Sequence, residues 1–428
     1  MPFAGRASYF GAYGVVASIA VANVWTYRLA AEQWGVDGWS EFSLMRRGVS
    51  LLSSFFQMGF MAAIARHVSL TDRSQAAARS PKSYLVAALL LLSVVAAPFV
   101  VLANIFPQEV AEFGLGDDRL AHLVPAMTIL VLGGIWHCCA FAYLQGELQI
   151  QMANGLAFLN LVVFPVTVFF IWEDTISGLF FAQGCLVSGS SLLALIGIAR
   201  SAGAFGRDSF LAHILSLWHY AVRRLPCDVG IAIVIGAPAL IAAHLYGTEV
   251  GGGVAFGTTL LSLAGTAVAP IAMILMPESS RLLKEGGLPR IRAYLRRRIR
   301  VYMLMGVVGV GGGQLLLRPA VELYLGEEFM HLIPVLRIIL VGALPYLFYC
   351  GLRSVVDAVS YRPINARDVW LGLIAGTFVL ALARSMITGV NALLFALLAT
   401  LFVLAALTLF EVHRISEGRL RLEQHEPN

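Results

Sequence analysis

Long apolar stretches alternate with short polar connections along the whole chain. Each stretch has about 20 or more residues, the length that an α-helix needs to cross the hydrocarbon core of a bilayer. The strands of a membrane β-barrel would instead be segments of about ten residues with alternating polarity. The pattern predicts twelve membrane-spanning helices, at residues 7–29, 40–66, 83–106, 120–144, 151–172, 176–199, 221–245, 250–276, 299–317, 332–359, 368–387 and 389–411.

The composition excludes the other structural classes. Of the 428 residues, 59% are hydrophobic and only 13% are charged, and the mean hydropathy is +0.80. Soluble domains carry about a quarter charged residues, and disordered chains need low hydrophobicity. The fold class predicted is therefore an all-α polytopic membrane protein. No cleaved signal peptide is expected, because the first apolar run is too long and no cleavage site follows it.

Basic residues collect in every second connection. The connections after the even-numbered spans are rich in arginine, whereas those after the odd-numbered spans carry aspartate and glutamate. The positive-inside rule then predicts a multi-pass protein with both termini in the cytoplasm. The densest group is 281–300, with eight basic residues and one acidic residue. We interpret it as a basic cytoplasmic loop that lies against anionic lipid, and we expect no nucleic acid as a partner.

An internal repeat divides the chain. LVPAMTILVLGG, from Leu123, resembles LIPVLRIILVGA, from Leu332, at an offset of 209 residues. The second and eighth spans also correspond, with Phe42 paired to Phe256. Both matches relate span n to span n+6, unless they are chance similarities among apolar helices. The repeat predicts two six-helix bundles in parallel orientation, 1–200 and 201–428, an arrangement typical of transporters with a site between the halves.

The second span carries a polar stripe at helical spacing. Its members are the candidate substrate-binding residues Arg46, Arg47, Ser50, Ser54 and Gln57. A charge at membrane depth is costly, so it normally faces a cavity or a partner. One interpretation is a cationic patch for an anionic substrate. The other is that the arginines extend to the outer interface or pair with Glu41.

Two pairs of opposite charges lie near the predicted cytoplasmic ends of spans. Arg353 and Asp357 follow Tyr349 on one face of the tenth span, and Arg224 and Asp228 have the same i, i+4 spacing in the seventh. They are candidate gate contacts between the bundles, and Tyr349 and Arg353 are also candidate cavity residues. Alternatively, each pair only neutralises charge for insertion.

No motif of an enzyme is present. The chain has no Walker motif, no GxSxG and no HExxH, and no cluster with metal-ligand spacing. We therefore expect a protein that is not an enzyme, with no catalytic residues and no metal site. His67, His122 and His137 are isolated in the sequence, and we expect structural roles for them.

Together these features resemble the multidrug/oligosaccharidyl-lipid/polysaccharide (MOP) superfamily, which includes the MATE antiporters. Within it the pattern is similar to Wzx-type flippases of bacterial polysaccharide biosynthesis. The resemblance is carried by WSEFSLMRRGVSLLSSFFQMGFMAAIARHVS and GEEFMHLIPVLRIILVGALPYLFYCGLRSVVDA. It covers most of the chain but is diffuse, with no short diagnostic motif.

The resemblance implies an alternating-access flippase in the bacterial inner membrane. Such proteins move an undecaprenyl-diphosphate-linked oligosaccharide to the periplasmic leaflet, for example for exopolysaccharide or lipopolysaccharide. Cavity arginines are implied for the family, and Arg46, Arg47 and Arg353 are the matching positions. The implied partners are the lipid-linked glycan, the bilayer, a polymerase and other glycan-assembly proteins. The chain lacks the two extra C-terminal spans of the lipid II flippases.

The alternative function is a MATE-like cation-coupled exporter of small molecules. That function favours a membrane-embedded carboxylate in the first bundle, but the first span has none between Ala7 and Tyr27. Glu41 and Glu147 are nearby, and both are at helix ends. A third hypothesis is a non-transporting scaffold in a glycan-assembly complex. No cofactor is expected, and coupling to H⁺ or Na⁺ is left open.

Overall fold

The computed structural model describes residues 4–57, 59–70, 81–172, 174–201, 210–282, 287–359 and 363–418. These ranges contain helices and no strand, and eleven of the helices are long and apolar enough to cross a membrane. The first of them, Tyr13–Gln57, has 45 residues and consists of two helices joined at a non-helical Gly35. The eleven helices therefore hold all twelve predicted spans, and the predicted fold class is confirmed.

The helices follow one another with short connections. Before the middle of the chain they are α1 (Ala4–Gln57), α2 (Phe60–Leu70), α3 (Pro81–Ile105), α4 (Pro107–Leu115), α5 (Val124–Gly146), α6 (Ile150–Phe158), α7 (Phe164–Ile171) and α8 (Ile176–Arg200). After it they are α9 (Phe210–Tyr246), α10 (Thr248–Arg281), α11 (Gly287–Tyr324), α12 (Ile333–Val341), α13 (Ala343–Val359), α14 (Ile364–Ala383) and α15 (Asn391–Ser416). A π-helical segment, Leu159–Val163, joins α6 to α7 within one span.

The chain forms two compact units, Met1–Ala232 and Ile233–Asn428. The division falls inside α9, beyond the predicted boundary at 200/201. The reason is that the first half of α9 packs onto the first unit, where Leu217 and Ala221 share a core with Phe60 and Leu92.

The second span is interrupted. α1 ends at Gln57 and α2 begins at Phe60, and Gly59 between them has a φ of 73°. Left-handed backbone is strained for residues with a side chain, so glycine fits this position. The break separates the predicted polar stripe from the short helix α2.

The repeat is visible in the structure at the same offset of 209 residues. A 3₁₀ turn, Asp118–Leu123, precedes α5, and a second one, Glu327–Leu332, precedes α12. Both following helices have a proline in their first turn. His122 at the first turn contacts Glu41 at 3.5 Å, and His331 at the second contacts Glu249 at 2.8 Å.

The same offset corrects the predicted pairing of Phe42 with Phe256. A Cβ atom at Gly48 would lie 3.7 Å from Met127 Sδ, and one at Gly257 would lie 3.3 Å from Leu336 Cδ2. Gly48 and Gly257 are 209 residues apart, as are Met127 and Leu336. Close helix approach at a glycine, rather than an aromatic residue, is what the two spans share.

The basic segment 281–300 is helical where the structure describes it, and not a loop as predicted. α10 extends to Arg281 and α11 begins at Gly287, while residues 283–286 lie outside the described ranges. Ile291 and Leu295, spaced i, i+4, are buried in the core of the second unit. A buried stripe on one face makes this segment an amphipathic helix.

Candidate functional site

Arg46 lies inside the first unit, held between the two arms of α1. Its guanidinium donates hydrogen bonds to Thr26 Oγ1, at 2.5 Å, and to Asn23 Oδ1. Its Cζ atom lies 5.0 Å from the ring centroid of Tyr27 and 5.5 Å from that of Phe42. Thr26 and Asn23 are neutral, so these two bonds fix the side chain without cancelling its charge.

The hairpin at Gly35 brings these residues together. Arg46 comes 11 residues after Gly35 and Asn23 comes 12 residues before it. The glycine has φ 61° and ψ −161°, a region of backbone space that glycine alone occupies without strain. The chain therefore reverses at Gly35 and the two arms pack side by side.

Arg47 is buried, with 7% of its surface exposed. Its neighbour Gly48 leaves room for α4, since a Cβ atom there would lie 2.7 Å from Leu115 Cδ2 and 3.1 Å from the Gly114 carbonyl oxygen. Glu41, proposed above as a partner for the arginines, forms its ion pair with His122.

The remaining stripe residues follow along the same helix. Ser50 is exposed, and Ser54 and Gln57 are half-buried. The Ser54 hydroxyl donates to the Ser50 carbonyl oxygen at 2.9 Å, and Gln57 Nε2 donates to the Gly134 carbonyl oxygen of α5 at 3.5 Å. The Ser54 proton is thus used within the helix, which leaves its oxygen as an acceptor.

The structure brings Arg224 and Asp228 to the break in the second span. A Cβ atom at Gly59 would lie 3.1 Å from Arg224 Cβ and 3.3 Å from Asp228 Oδ2. The charged pair of α9 therefore lies next to Gly59, two residues beyond Gln57. A proximity of this kind, across more than 160 positions of sequence, depends on packing.

Tyr349, Arg353 and Asp357 all lie on α13 in the second unit. Arg353 Cζ is 5.7 Å from the Tyr349 ring centroid. Asp357 Oδ1 accepts a hydrogen bond from Asn365 Nδ2 at 2.7 Å, and the same amide donates to the Arg353 carbonyl oxygen at 3.1 Å. Asn365 thereby ties α14 to the end of α13. A gate role for these residues, as for Arg224 and Asp228, stays a prediction.

Sequence analysis missed a polar centre in the first unit. Asn160, only 1% exposed, lies in the π-helical segment and donates to Ser191 Oγ at 3.1 Å. It accepts a hydrogen bond from Ser190 Oγ at 2.6 Å, and its Nδ2 lies 2.9 Å from His137 Nδ1. The one signal in the sequence was an asparagine, five residues before Pro165, in an apolar run.

The three histidines are not isolated in space. His122 contacts Glu41 and His137 contacts Asn160, as described above. The ring centroid of His67 is 5.2 Å from that of Tyr84 and 5.9 Å from that of Tyr220. The expectation of isolated histidines was wrong, because residues from distant helices supply the partners.

A second missed cluster joins α14 to α15. Asp368 and Glu411 are buried, at 0% and 1% exposure. Arg367 Nη2 bridges them, at 2.7 Å from Asp368 Oδ1 and 2.8 Å from Glu411 Oε1, and Arg414 Nη1 lies 3.1 Å from Glu411 Oε2. Two arginines balance two carboxylates, so the cluster holds the helices together without net charge.

Metal chemistry finds no support in this part of the molecule. Among the residues that the structure describes, no group of three or more histidine, cysteine, aspartate or glutamate side chains could hold a metal ion.

No family model and no curated protein matches the sequence. Solved structures do match the fold. The lipid II flippase MurJ, in an inward closed conformation, is 11% identical with a TM-score of 0.73, covering 95% of this chain and 87% of that chain. An inward-facing multidrug resistance MATE transporter of the MOP superfamily is 14% identical with a TM-score of 0.70, covering 95% and 94%.

A third structure belongs to a MOP superfamily transporter from Pyrococcus furiosus, whose binding pocket has reverse polarity. It is 13% identical with a TM-score of 0.65, covering 98% of this chain and 97% of that chain. These likenesses show that the chain has the fold of MOP-superfamily transporters, in which both exporters and a lipid flippase occur.

Proposed function

We propose that the chain is a flippase that moves an undecaprenyl-diphosphate-linked oligosaccharide across the bacterial inner membrane by alternating access. The observation that carries this proposal is the pair Arg46 and Arg47, held inside the first unit of a transporter fold. The protein would be no enzyme, and its termini would both be cytoplasmic. A polymerase and other glycan-assembly proteins would be its partners.

The depth of the arginines supports an anionic cargo. Arg46 is about 16 Å from Gly35 along the helix, at 1.5 Å per residue, which is roughly half of a ~30 Å hydrocarbon core. A charge at such depth costs at least ~2.5–3.5 kcal/mol on insertion scales. Neutral Thr26 and Asn23 contribute hydrogen bonds only, so a bound diphosphate would supply the opposite charge.

Arginine suits this headgroup because its planar fork binds phosphate oxygens in bidentate geometry. In the proposed mechanism, phosphate oxygens take over the donors that Arg46 gives to Thr26 and Asn23. Acceptor oxygens of Ser50 and Ser54, with the Gln57 amide, would bind hydroxyl groups of the first sugar. Arg353, stacked on Tyr349, would contact the cargo from the second unit.

The structural neighbours allow this cargo but do not choose it. MurJ is a flippase for lipid II, so the fold serves lipid-linked cargo in that protein. The Pyrococcus furiosus transporter, with its pocket of reverse polarity, indicates that charge inside the fold differs between members. The charge in the first unit is therefore the basis for choosing an anionic cargo here.

The alternative is a MATE-like cation-coupled exporter of small molecules. His137 favours it, because this titratable side chain lies beside the buried Asn160 and would serve H⁺ coupling. Against it stand Arg46 and Arg47, since they would repel a cationic drug.

The test is binding of undecaprenyl diphosphate to the purified protein, followed by glycan export in cells. Charge-assisted hydrogen bonds contribute ~1.5–3 kcal/mol each, so Arg46→Ala/Arg47→Ala should weaken binding well over tenfold and abolish export. Arg46→Lys/Arg47→Lys should restore both in part, since ammonium keeps the charge but lacks the fork.

A control variant, Arg318→Ala/Arg337→Ala, removes two exposed arginines and should behave as wild type. Thermal unfolding of each variant separates lost binding from lost folding. Wild-type binding by the double-alanine protein, at matched expression, would refute the assignment of the headgroup site.

A further inference from the structure

One face of α11 changes its chemistry along the helix. The helix has 38 residues, and its exposed positions from 290 to 300 are mostly arginine: Arg290, Arg292, Arg296, Arg297 and Arg300. From residue 301 onward the exposed side chains on the same face are aliphatic, among them Leu304, Val307 and Val308. A helix that passes from lipid headgroups into hydrocarbon has this pattern.

The change locates the membrane boundary near Arg300. Residues 301–324 span about 36 Å at 1.5 Å per residue, enough to cross a ~30 Å hydrocarbon core. The preceding turns, 287–300, then lie at the level of the headgroups. This depth follows from the helix itself and does not depend on the proposed function.

The first turns of α11 form a cleft of about 270 Å³, lined by Leu288, Pro289, Arg292, Ala293 and Arg296. Arg292 and Arg296 are spaced i, i+4, so their guanidinium groups lie on the same side of the helix. The opposite side is anchored, because Ile291 and Leu295 are buried in the core of the second unit.

The apolar wall of the cleft is fixed as well. Gly418, just after α15, has a φ of 73°, and a Cβ atom there would lie 2.7 Å from Leu288 Cδ1. Leu288 is thus packed against the end of α15. The cleft combines two cationic side chains with three small apolar surfaces, at the depth of lipid phosphates.

We propose that this cleft binds the phosphate headgroup of an anionic glycerophospholipid from the surrounding leaflet. Arg292 and Arg296 would bind the phosphate oxygens, and Leu288, Pro289 and Ala293 would contact the glycerol. The acyl chains would extend along the exposed Leu304 and Val308. Basic clusters next to a span are attracted to anionic lipid, and the cleft makes this attraction specific to one site.

The experiment uses the full chain in phosphatidylcholine nanodiscs with a small fraction of phosphatidylglycerol, and native mass spectrometry counts the retained anionic lipid. Arg292→Gln/Arg296→Gln should weaken retention about tenfold or more, since each surface arginine contributes ~1 kcal/mol. The matched control is Arg290→Gln/Arg297→Gln, which removes the same charge from the same helix outside the cleft, and it should keep retention within about threefold.

A second variant tests the cleft without changing its charge. Ala293→Trp fills the space between the arginines and should also reduce retention about tenfold. Equal losses in the two glutamine variants would overturn the site in favour of a diffuse surface potential. Unchanged retention in Ala293→Trp, or in Arg292→Gln/Arg296→Gln, would overturn headgroup binding in the cleft. Thermal unfolding in pure phosphatidylcholine checks that each variant is folded.

Discussion

Individual polar residues inside the bundles are held by partners from other helices or from the other arm of the same hairpin. Arg46 binds Thr26 and Asn23, and Asn160 binds Ser190 and Ser191. Lipid tails offer no hydrogen bonds, so a polar side chain at membrane depth needs such partners within the protein. These partners keep each side chain in one orientation, which a binding site requires.

Asn160 provides a prediction at this scale. Asn160→Ala removes the amide that His137, Ser190 and Ser191 share, and a buried polar group left without a partner costs about 1–3 kcal/mol. The variant should lower the free energy of unfolding by about that amount, measured by denaturant titration in detergent micelles.

The control for Asn160 is Asn104→Ala. Asn104 is exposed, and its amide donates to the Val100 carbonyl oxygen of its own helix at 2.8 Å. We expect a loss below about 0.5 kcal/mol, as is usual for exposed positions. Equal losses in the two variants would contradict a buried polar centre at Asn160.

At the scale of elements, the hairpin of α1 decides where the cationic residues lie. The two arms meet at Gly35, and the aromatic rings of Tyr27 and Phe42 pack between them at a centroid distance of 5.5 Å. Arg46 stacks on both rings. The turn therefore sets the position of the candidate headgroup site.

Gly35→Ala tests this role of the turn. The backbone at Gly35 has φ 61° and ψ −161°, and placing a side chain in that region costs about 1–3 kcal/mol. The variant should unfold more easily by that amount and, because the arms shift, should also bind undecaprenyl diphosphate more weakly. Thermal unfolding and the binding assay measure the two effects.

Gly14→Ala is the matched control on the same helix. A Cβ atom has no neighbour within 4 Å at Gly14 or at Gly35, and Gly14 lacks the positive φ. Alanine in ordinary helix backbone stabilises by roughly 0.5–1 kcal/mol relative to glycine. A destabilised Gly14→Ala, or an unaffected Gly35→Ala, would disprove the strain argument.

At the scale of the whole molecule, the two units repeat one plan with different chemistry. The offset of 209 pairs Gly48 with Gly257, and it pairs Arg46 and Arg47 with Ala255 and Phe256. The common features are those that packing requires, such as a glycine at a close helix approach and a proline in the first turn after a 3₁₀ segment. The arginine pair occurs in the first unit only, which is expected when function, rather than packing, keeps it there.

Membrane orientation is the prediction for the complete chain. The alternation of basic and acidic connections predicts that a reporter fused after Asn428 is cytoplasmic and one inserted near Asp117 is periplasmic. Paired alkaline phosphatase and fluorescent-protein fusions measure both positions. A periplasmic C-terminus would mean that the number of crossings is odd.

The sequence by itself determined the class of the protein, the position of the spans and the period of the repeat. The bilayer imposes the reason: a crossing helix must be about 20 apolar residues long and must satisfy its backbone internally. These requirements act on contiguous residues, so a linear pattern records them. Composition and spacing also identified Arg46 and Arg47 as unusual at their depth.

The tertiary structure alone decided which polar residues meet. It brought Arg224 and Asp228 beside Gly59, joined Asn160 to His137, and bridged Asp368 to Glu411 through Arg367. It also made the basic segment a helix, because Ile291 and Leu295 found a core to pack against. In a chain where almost every helix is apolar all round, hydrophobicity hardly distinguishes a lipid-facing side from a protein-facing side. The partners of each polar side chain are therefore set by helix packing.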